Sequence, residues 1–519
     1  MKSQNADVAL KKIALGAGIG IVGTVIGLSL QFIIRIIIAR IGSQAEYGAF
    51  YLALVVIGVV MVLASFGLQD GTTRYIAYMQ GKNDQNKTGK IIVAALQISI
   101  TASILLSVCF FLLAEPIALN IFHTSDLIRP LQLFSLTVPF LTLSNIYSSI
   151  LRGFSRMEAQ SFTQSTQSIL VLLLLIPIAL LGLSFNFVYY AYLAGIILSC
   201  IILTVYLLKK LPMLITITEH KMEPTIIKEL MIFSLPLMGT SIFSMLTLYA
   251  DTIMLGYFKT PQEVGLYNAA YPLAFFITVP YTAFLMIFTP VASHLYSQNL
   301  IGELNRSFSV TAKWICFVTF PVFLVLFLFP EIVINFVFGP AYVSAGPALR
   351  ILSAGFIINS LFGPNVGAML AIGQSRFLMW SVLVSALSNV LLSIALIPSM
   401  GFIGAAISSA VAMVMANSLI SIKLFLACGA HPLGKNLLKP LAASIMIVLV
   451  LQFTLGQMMV VTFWMLPLLF VLYYLLYGVA VILTRSFDQE DLILLSEIDQ
   501  IIGINTVPLK RLLRKLIHT

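Results

Sequence analysis

The chain has 519 residues, of which 60% are hydrophobic and only 9% charged, and its formal net charge is +10. A soluble globular chain carries roughly 25% charged residues, so this composition excludes a water-solvated globule and requires lipid as the solvent. The basic residues sit in short loops between apolar runs rather than on one polar face, a pattern that marks membrane topology and not nucleic-acid binding.

In chain order, the first apolar run spans 13–38. It is too long for the apolar core of a signal peptide and lacks a small-residue cleavage site, so it reads as a retained first span. Further runs follow at 48–70, 91–113, 131–151, 162–183, 187–208, 229–256, 267–291, 310–330, 347–371, 377–398, 402–426, 437–455 and 461–484. The expected fold is therefore an all-α integral membrane protein with about fourteen transmembrane helices. Tight hairpins at Gly182 and Pro398 keep neighbouring runs separate.

Charge tests the count. With a cytoplasmic N-terminus and fourteen spans, 24 of the 29 basic residues fall inside and four (Arg40, Arg129, Lys259, Arg350) outside, with Arg35 left within a span. A wrong count would scramble this bias, so both termini are expected in the cytoplasm. The four cysteines, Cys109, Cys200, Cys316 and Cys428, lie in or beside apolar runs with no metal spacing, and read as small buried apolar residues.

The sequence also repeats. Glu46-Tyr47-Gly48-x-Phe50 returns as Glu263-Val264-Gly265-x-Tyr267 at an offset of 217. Glu115 returns as Glu331, Leu131-x-Leu133-Phe134-Ser135 as Leu349-x-Ile351-Leu352-Ser353, Gly153-x-x-Arg156 as Gly373-x-x-Arg376, and Ile176-Pro177 as Ile397-Pro398, all at offsets of 216–221. Spans 1–6 are thus duplicated as spans 7–12, and an even number of spans per unit makes the repeats parallel. The implied division is a first lobe at 1–210, a cytoplasmic linker at 211–228, a second lobe at 229–427, spans 13 and 14 at 428–485, and a cytoplasmic tail at 486–519. Near the end, Leu509, Leu512, Leu513, Leu516 and Ile517 alternate with Lys510, Arg511, Arg514 and Lys515. That is either an amphipathic helix for an anionic inner leaflet or a solubilising tail.

Two bundles of six spans with two extra helices resemble the MOP flippase superfamily in its polysaccharide transporter (Wzx-like) branch. The resemblance is carried by Ala39-Arg40-Ile41-Gly42, Glu46-Tyr47-Gly48-x-Phe50, Gly67-Leu68, Arg74-Tyr75-Ile76-Ala77, Leu151-Arg152-Gly153, Asp251-Thr252-x-Met254-Leu255-Gly256 and Glu263-Val264-Gly265-x-Tyr267-x-Ala269-Ala270. Each motif is loose, but their order covers about residues 10–485. The resemblance implies two lobes in a V around a central cavity. It implies a flippase that moves a polyprenyl-phosphate-linked oligosaccharide by alternating access, in the cytoplasmic membrane of a prokaryote. The neighbouring readings are a lipid II flippase and a cation-coupled multidrug exporter. The exporter fits less well, because the first lobe offers Arg35, Arg74 and Arg152 with Asp70 only at a span end.

A head group of sugars and phosphate needs hydroxyl and amide partners and a cation. The stretch 160–168, with Gln164 and Gln167, is too polar to face lipid, so it either lines water or bonds neighbouring helices. Arg35 and Asp251 each lie 23 residues after a cytoplasmic lysine, Lys12 or Lys228, which sets both in the outer half of the membrane. A mid-span charge costs ~2.5–3.5 kcal/mol on insertion scales and usually faces a cavity or a partner. One reading pairs Arg35 with Asp251 across the cavity as a gate; the other lets Arg35 snorkel outward and Asp251 bond Tyr249 or a helix terminus. Arg74 and Arg152 at the cytoplasmic mouth either greet phosphate or anchor topology. Asn268, Tyr271 and Pro272 in span 8, and Asn359 and Gly363-Pro364-Asn365 in span 10, are candidate bends, with Asn268, Tyr271 and Asn365 facing substrate. Glu115 and Glu331 read as structural.

An enzyme would need acid, base or metal groups in a substantial outer loop. The longest outer loop, at 114–130, offers only Glu115, His123 and Asp126 without metal-ligand spacing, and no nucleotide-binding loop is present. No enzymatic activity, cofactor or metal is expected. The expected partners are the lipid-linked oligosaccharide, membrane lipids and a coupling ion such as H+ or Na+, with no nucleic acid, and the expected state is a monomer.

Overall fold

The computed structural model describes residue 23 and residues 25–156, 159–210, 224–429, 442–447, 450 and 465–483, and among these every regular element is helical. Lipid dictates this outcome, because only a helix satisfies its backbone hydrogen bonds within one segment of chain. By its contacts the chain divides into two units, Met1–Asn268 and Ala269–Thr519.

The first unit contains α1 (25–41), α2 (Gln44–Ser65), α3 (Leu68–Gly81), α4 (Gln85–Pro116), α5 (Ile128–Ser135), α6 (Val138–Gly153), α7 (Ala159–Leu180), α8 (Asn186–Lys210) and α9 (Pro224–Phe258). The chain passes into the second unit within α10 (Pro261–Phe275). There follow α11 (Val279–Ser297), α12 (Ile301–Leu328), α13 (Pro330–Phe338), α14 (Gly346–Leu361), α15 (Pro364–Ala371), α16 (Ser375–Met400), α17 (Phe402–Cys428) and α18 (Met465–Leu483).

Among the described residues, nine helices are long and apolar enough to cross a membrane, and two bent pairs raise the number to eleven. The bends are 45° between Ser125–Ser135 and Val138–Gly153, and 43° between Pro261–Thr282 and Ile287–Ser297. These eleven fall on the second to twelfth expected spans. The first, thirteenth and fourteenth lie partly outside the described residues, and the tail from 486, with its basic amphipathic segment, lies wholly outside them.

On α4 a row of small polar residues faces inward and large apolar residues face outward, the arrangement lipid selects. On α4, Ser99, Ser103 and Ser107 recur at one-turn spacing and are buried, while Leu105 and Leu112 are 65% and 70% exposed. Ser107 Oγ donates to the Ser135 carbonyl at 2.8 Å, tying α4 to α5. With no hydrophobic force between helices in lipid, small residues and such hydrogen bonds carry the association.

The duplication seen in the sequence reappears in the packing of each unit. One core gathers Ile91, Ile150, Leu151 and Leu207. A second core, in the other unit, gathers Phe308, Ala368, Met369 and Leu424, the same positions displaced by 217 or 218 residues. Residues equivalent in sequence thus hold equivalent places in two separate cores.

The two copies of the Glu-x-Gly motif meet directly, both within the first unit. A Cβ on Gly48 would overlap the Pro261 carbonyl oxygen and come within 2.7 Å of the Gly265 nitrogen. A Cβ on Gly265 would overlap the Gln44 carbonyl oxygen and come within 3.3 Å of the Gly48 nitrogen. Gln44 and Pro261, like Gly48 and Gly265, are 217 residues apart, so the contact is reciprocal, as across a two-fold axis. Gln262 Nε2 donates to Gln44 Oε1 at 2.6 Å beside it. Glu46 completes the start of α2: its carboxylate accepts from the Ser43 amide at 2.8 Å, and its own amide donates to Ser43 Oγ at 3.2 Å, a capping box.

Gly48→Val is expected to destabilise the protein by about 1–3 kcal/mol through overpacking, read as a lowered unfolding midpoint in detergent. Gly302→Ala, where an added Cβ meets nothing within 4 Å, is expected to leave the midpoint unchanged or slightly raised. Equal midpoints for Gly48→Val and wild type would remove the close approach from the account.

Candidate functional site

The site begins where the second span breaks. After α2, Phe66 and Gly67 both adopt left-handed backbone, with φ of 46° and 68°, before α3 resumes. Glycine at 67 is required twice over: its φ is positive, and a Cβ there would overlap the Ser234 carbonyl on α9. Interrupted helices expose backbone polar groups, tolerated at membrane depth only against protein or a water-filled cavity. Ser65, Gly67, Gln69 and Asp70 around this break line such a cavity, of about 770 Å³.

All of its lining residues belong to the first unit. Helix α1 contributes Gln31 and Arg35, α2 contributes Tyr51 and Met61, and α6 contributes Asn145. From α7 come Gln167 and Ser168, from α8 Tyr192, from α9 Thr240, Ser241, Ser244 and Tyr249, and from α10 Asn268. Hydroxyls and amides dominate the polar part, and among the described lining residues the only charges are Arg35 and Asp70.

Arg35 is held by tyrosines. Its guanidinium carbon lies 4.2 Å from the Tyr51 ring centroid, over the ring. Tyr47 and Tyr249 also stand close enough to act on its charge. The guanidinium also hydrogen-bonds Tyr47, and since the Tyr51 ring face attracts the cation without using its N–H donors, others of the five remain for an anion. Behind this pair an aromatic cluster fixes the walls. Phe50 meets Phe134 at 5.0 Å and Tyr192 at 5.3 Å between centroids, locking α2, α5 and α8 together.

Asp251 is buried, 4% exposed, and accepts from the Tyr267 hydroxyl at 2.8 Å. Beside it, Asn268 Nδ2 donates to the Val264 carbonyl at 3.0 Å and to Thr252 Oγ1 at 3.3 Å, and Tyr47 Oη donates to the Asn268 carbonyl at 3.2 Å. At the motif offset of 217, Arg35 corresponds to Thr252 and Tyr51 to Asn268. The Arg35–Tyr51 contact of one repeat is therefore matched by the Thr252–Asn268 hydrogen bond of the other.

The structure brings Arg35, Gln167 and Asn268 into one cavity wall. Gln164, one turn earlier on α7, packs against α1 at Gly27. Arg74 lies over the Phe233 ring at 4.1 Å, next to Tyr75, whose hydroxyl donates to the Glu229 carbonyl at 3.4 Å. With Gly67 and Gly71 pressed on Ser234, these contacts form a seam between α3 and α9. Arg152 Nη2 donates to Ser149 Oγ at 3.1 Å, while its Nε is buried without a partner among the described residues. Tyr271 and Asn365 lie in the second unit. The Tyr271 ring meets Phe356 at 5.5 Å, and Asn365 Nδ2 donates to Ser421 Oγ at 2.6 Å. In that unit the chain pauses at Gly363, between α14 and α15, and at a 3-10 turn, Phe276–Thr278, four residues beyond Pro272.

Sequence reading did not single out Tyr51, Tyr192, Gln31 or Asn145, and named Tyr249 only as a local partner for Asp251. Two of these carried a signal: Tyr51 follows Tyr47 by one turn in the repeated motif, and Gln31 precedes Arg35 by one turn. The others come from separate helices and only meet in three dimensions.

Comparison with known proteins agrees with this architecture. The family described as polysaccharide biosynthesis protein matches residues 14–296, over half of the chain, and the MatE family matches residues 236–395. The uncharacterized membrane protein MJ1068 of Methanocaldococcus jannaschii is 26% identical over 409 residues, covering 73% of this chain and 77% of that protein. Stage V sporulation protein B of Bacillus subtilis is 22% identical over 415 residues, covering 75% and 79%. Among solved structures, lipid II flippase MurJ in an inward closed conformation superposes with a TM-score of 0.67 at 16% identity, covering 91% of this chain and 99% of that one, a likeness of fold. The chain is thus a multi-pass membrane protein, and it belongs to the polysaccharide biosynthesis protein family.

Proposed function

We propose that this protein is a flippase that carries a polyprenyl-phosphate-linked oligosaccharide from the inner to the outer leaflet of the cytoplasmic membrane, for export of cell-surface glycan. The observation that carries the reading is the cavity of about 770 Å³, lined by hydroxyls and amides and holding a tyrosine-supported arginine within apolar spans. Hydroxyl and amide groups suit sugars, which offer many hydrogen bonds and no fixed charge. A guanidinium suits the phosphate, which it meets with charge-assisted hydrogen bonds. The lipid tail remains in the bilayer while the head group crosses. The family's description as polysaccharide biosynthesis proteins supports the same class of cargo.

In this reading the lobes follow the sequence repeat, with spans 1–6 in the first and spans 7–12 in the second, and both termini in the cytoplasm. Arg35, Gln167 and Asn268 contact the head group. Arg74 and Arg152 stand at the cytoplasmic mouth, where the α3–α9 seam closes the way in. Asp251, held by Tyr267, couples the state of α9 to that of α10. A multidrug exporter would call for carboxylates at the cation's place, where this cavity has a guanidinium.

Proteoliposomes loaded with a polyprenyl-phosphate-linked oligosaccharide should show protein-dependent exposure of the sugar to an impermeant lectin. Arg35→Ala should slow exposure by roughly 10- to 100-fold, the scale of a lost charged hydrogen bond of about 1.5–3 kcal/mol. Arg35→Lys should fall between, since a lysine keeps the charge but loses the fork. Transport of a cationic dye with no sugar exposure would overturn the reading.

The tyrosine platform makes a separate expectation. Tyr51→Phe keeps the ring face and should retain most of the activity. Tyr51→Leu removes it and should cost about 2- to 30-fold, matching a cation–π contribution of about 0.5–2 kcal/mol. Equal rates for the two variants would show that the ring face contributes nothing.

A further inference from the structure

Helix α10 leaves one backbone carbonyl open beside the cavity. In an α-helix the carbonyl of residue 268 accepts from the amide of residue 272, but that residue is Pro272, inside the helix and without an N–H. A bare carbonyl at membrane depth is costly and is tolerated where a neighbouring helix answers it. The answer comes from α2: Tyr47, fully buried, donates from Oη to the Asn268 carbonyl at 3.2 Å.

That bond decides what the hydroxyl offers on its other side. A phenol has one hydrogen to give, and a guanidinium can only donate. With its hydrogen committed to the Asn268 carbonyl, the Tyr47 oxygen presents lone pairs alone, and these accept from Arg35. Each bond polarises the other, so Arg35, Tyr47 and the Asn268 carbonyl form one directed chain. Tyr51, one turn along α2 with its ring centroid 4.7 Å from that of Tyr47, supplies the ring face for the same guanidinium. A ring face holds a cation without choosing among its N–H groups, whereas a hydrogen bond fixes which one is used.

Both the open carbonyl and the hydroxyl that meets it depart from the sequence repeat. At the offset of 217, Tyr47 corresponds to Val264, which has no hydroxyl, and Pro272 corresponds to Val55, which carries an N–H. The two features thus occur as a matched pair, one on each copy.

Resting on the flippase reading above, we infer that Tyr47 is a positioning residue for transport: its hydroxyl, turned by the carbonyl that Pro272 leaves open, sets Arg35 in place for the anionic head group. Tyr47 is not among the residues that line the cavity, so it acts on the cargo through Arg35.

Tyr47→Phe keeps the ring and removes the hydroxyl. In proteoliposomes of the full chain, with rates taken per folded protein, it should slow lectin exposure of a polyprenyl-phosphate-linked oligosaccharide about 3- to 10-fold, the scale of one net hydrogen bond. In the Arg35→Ala background the same change should slow exposure no further, because the group being positioned is gone. A second measurement addresses the carbonyl. Tyr47→Phe should lower the unfolding midpoint in detergent, and should lower it less in the Pro272→Ala background, where a restored amide takes the carbonyl. Wild-type rates for Tyr47→Phe would overturn this inference and leave the flippase reading standing. Equal slowing with and without Arg35 would make the hydroxyl merely structural and overturn the positioning role. Equal midpoint losses in the two backgrounds at 272 would overturn the part given to Pro272. Exposure of no sugar by the wild-type protein would overturn the flippase reading, and this inference with it.

Discussion

The backbones around Gly48 and Gly265 approach so closely that the Pro261 carbonyl excludes a side chain at 48 and the Gln44 carbonyl excludes one at 265, and much of the first unit depends on this contact. It joins the start of α2 to the start of α10, and through them the two copies of the repeat. In lipid, apolar side chains gain little by leaving one apolar surroundings for another, so close backbone packing and buried hydrogen bonds must hold helices together. The capping box of Ser43 and Glu46 fixes where α2 begins, and so fixes the register at which Gly48 meets its partner. Tyr47, next in sequence, reaches the Asn268 carbonyl, and Tyr51, one turn further, supports Arg35. One short motif thus sets both the contact between repeats and the platform beneath the only cation in the described cavity wall.

The same motif behaves differently in its two copies. In the first, the position after the glycine turn holds Tyr51 with Arg35 over its ring. In the second, the equivalent pair is Asn268 and Thr252, joined by a hydrogen bond. Duplication supplied two matching frames, and substitution made one of them cationic and the other neutral. Asp251 lies one residue from the position equivalent to Arg35, and its carboxylate accepts from Tyr267. Both groups belong to the first unit, with tyrosines as partners, and a buried carboxylate with a hydroxyl donor costs far less than one left bare.

The break at Phe66 and Gly67 is the second device of the site. Past the left-handed pair, Gly67 and Gly71 press on Ser234 while Asp70 lines the cavity and Arg74 lies over Phe233. Charge is thereby sorted within one turn of helix: the carboxylate faces the path, and the guanidinium is spent on an aromatic ring.

The sequence by itself determined the solvent, the helical class and the duplication. Composition and run length report directly on lipid, and motifs at a constant offset report on repeats whatever their packing. It also named Arg35, because a charge within an apolar run is costly enough to need a purpose. Tertiary structure alone decided what surrounds that charge. Tyr192 and Tyr249 lie on helices remote in sequence, and no local pattern distinguishes an aromatic residue facing a cavity from one facing lipid. The break in the second span was equally hidden, since Phe66-Gly67 lies within an apolar run and only the approach of Ser234 explains its backbone. Periodicity records which residues share a helix face; which face meets which is settled by packing among helices far apart in the chain.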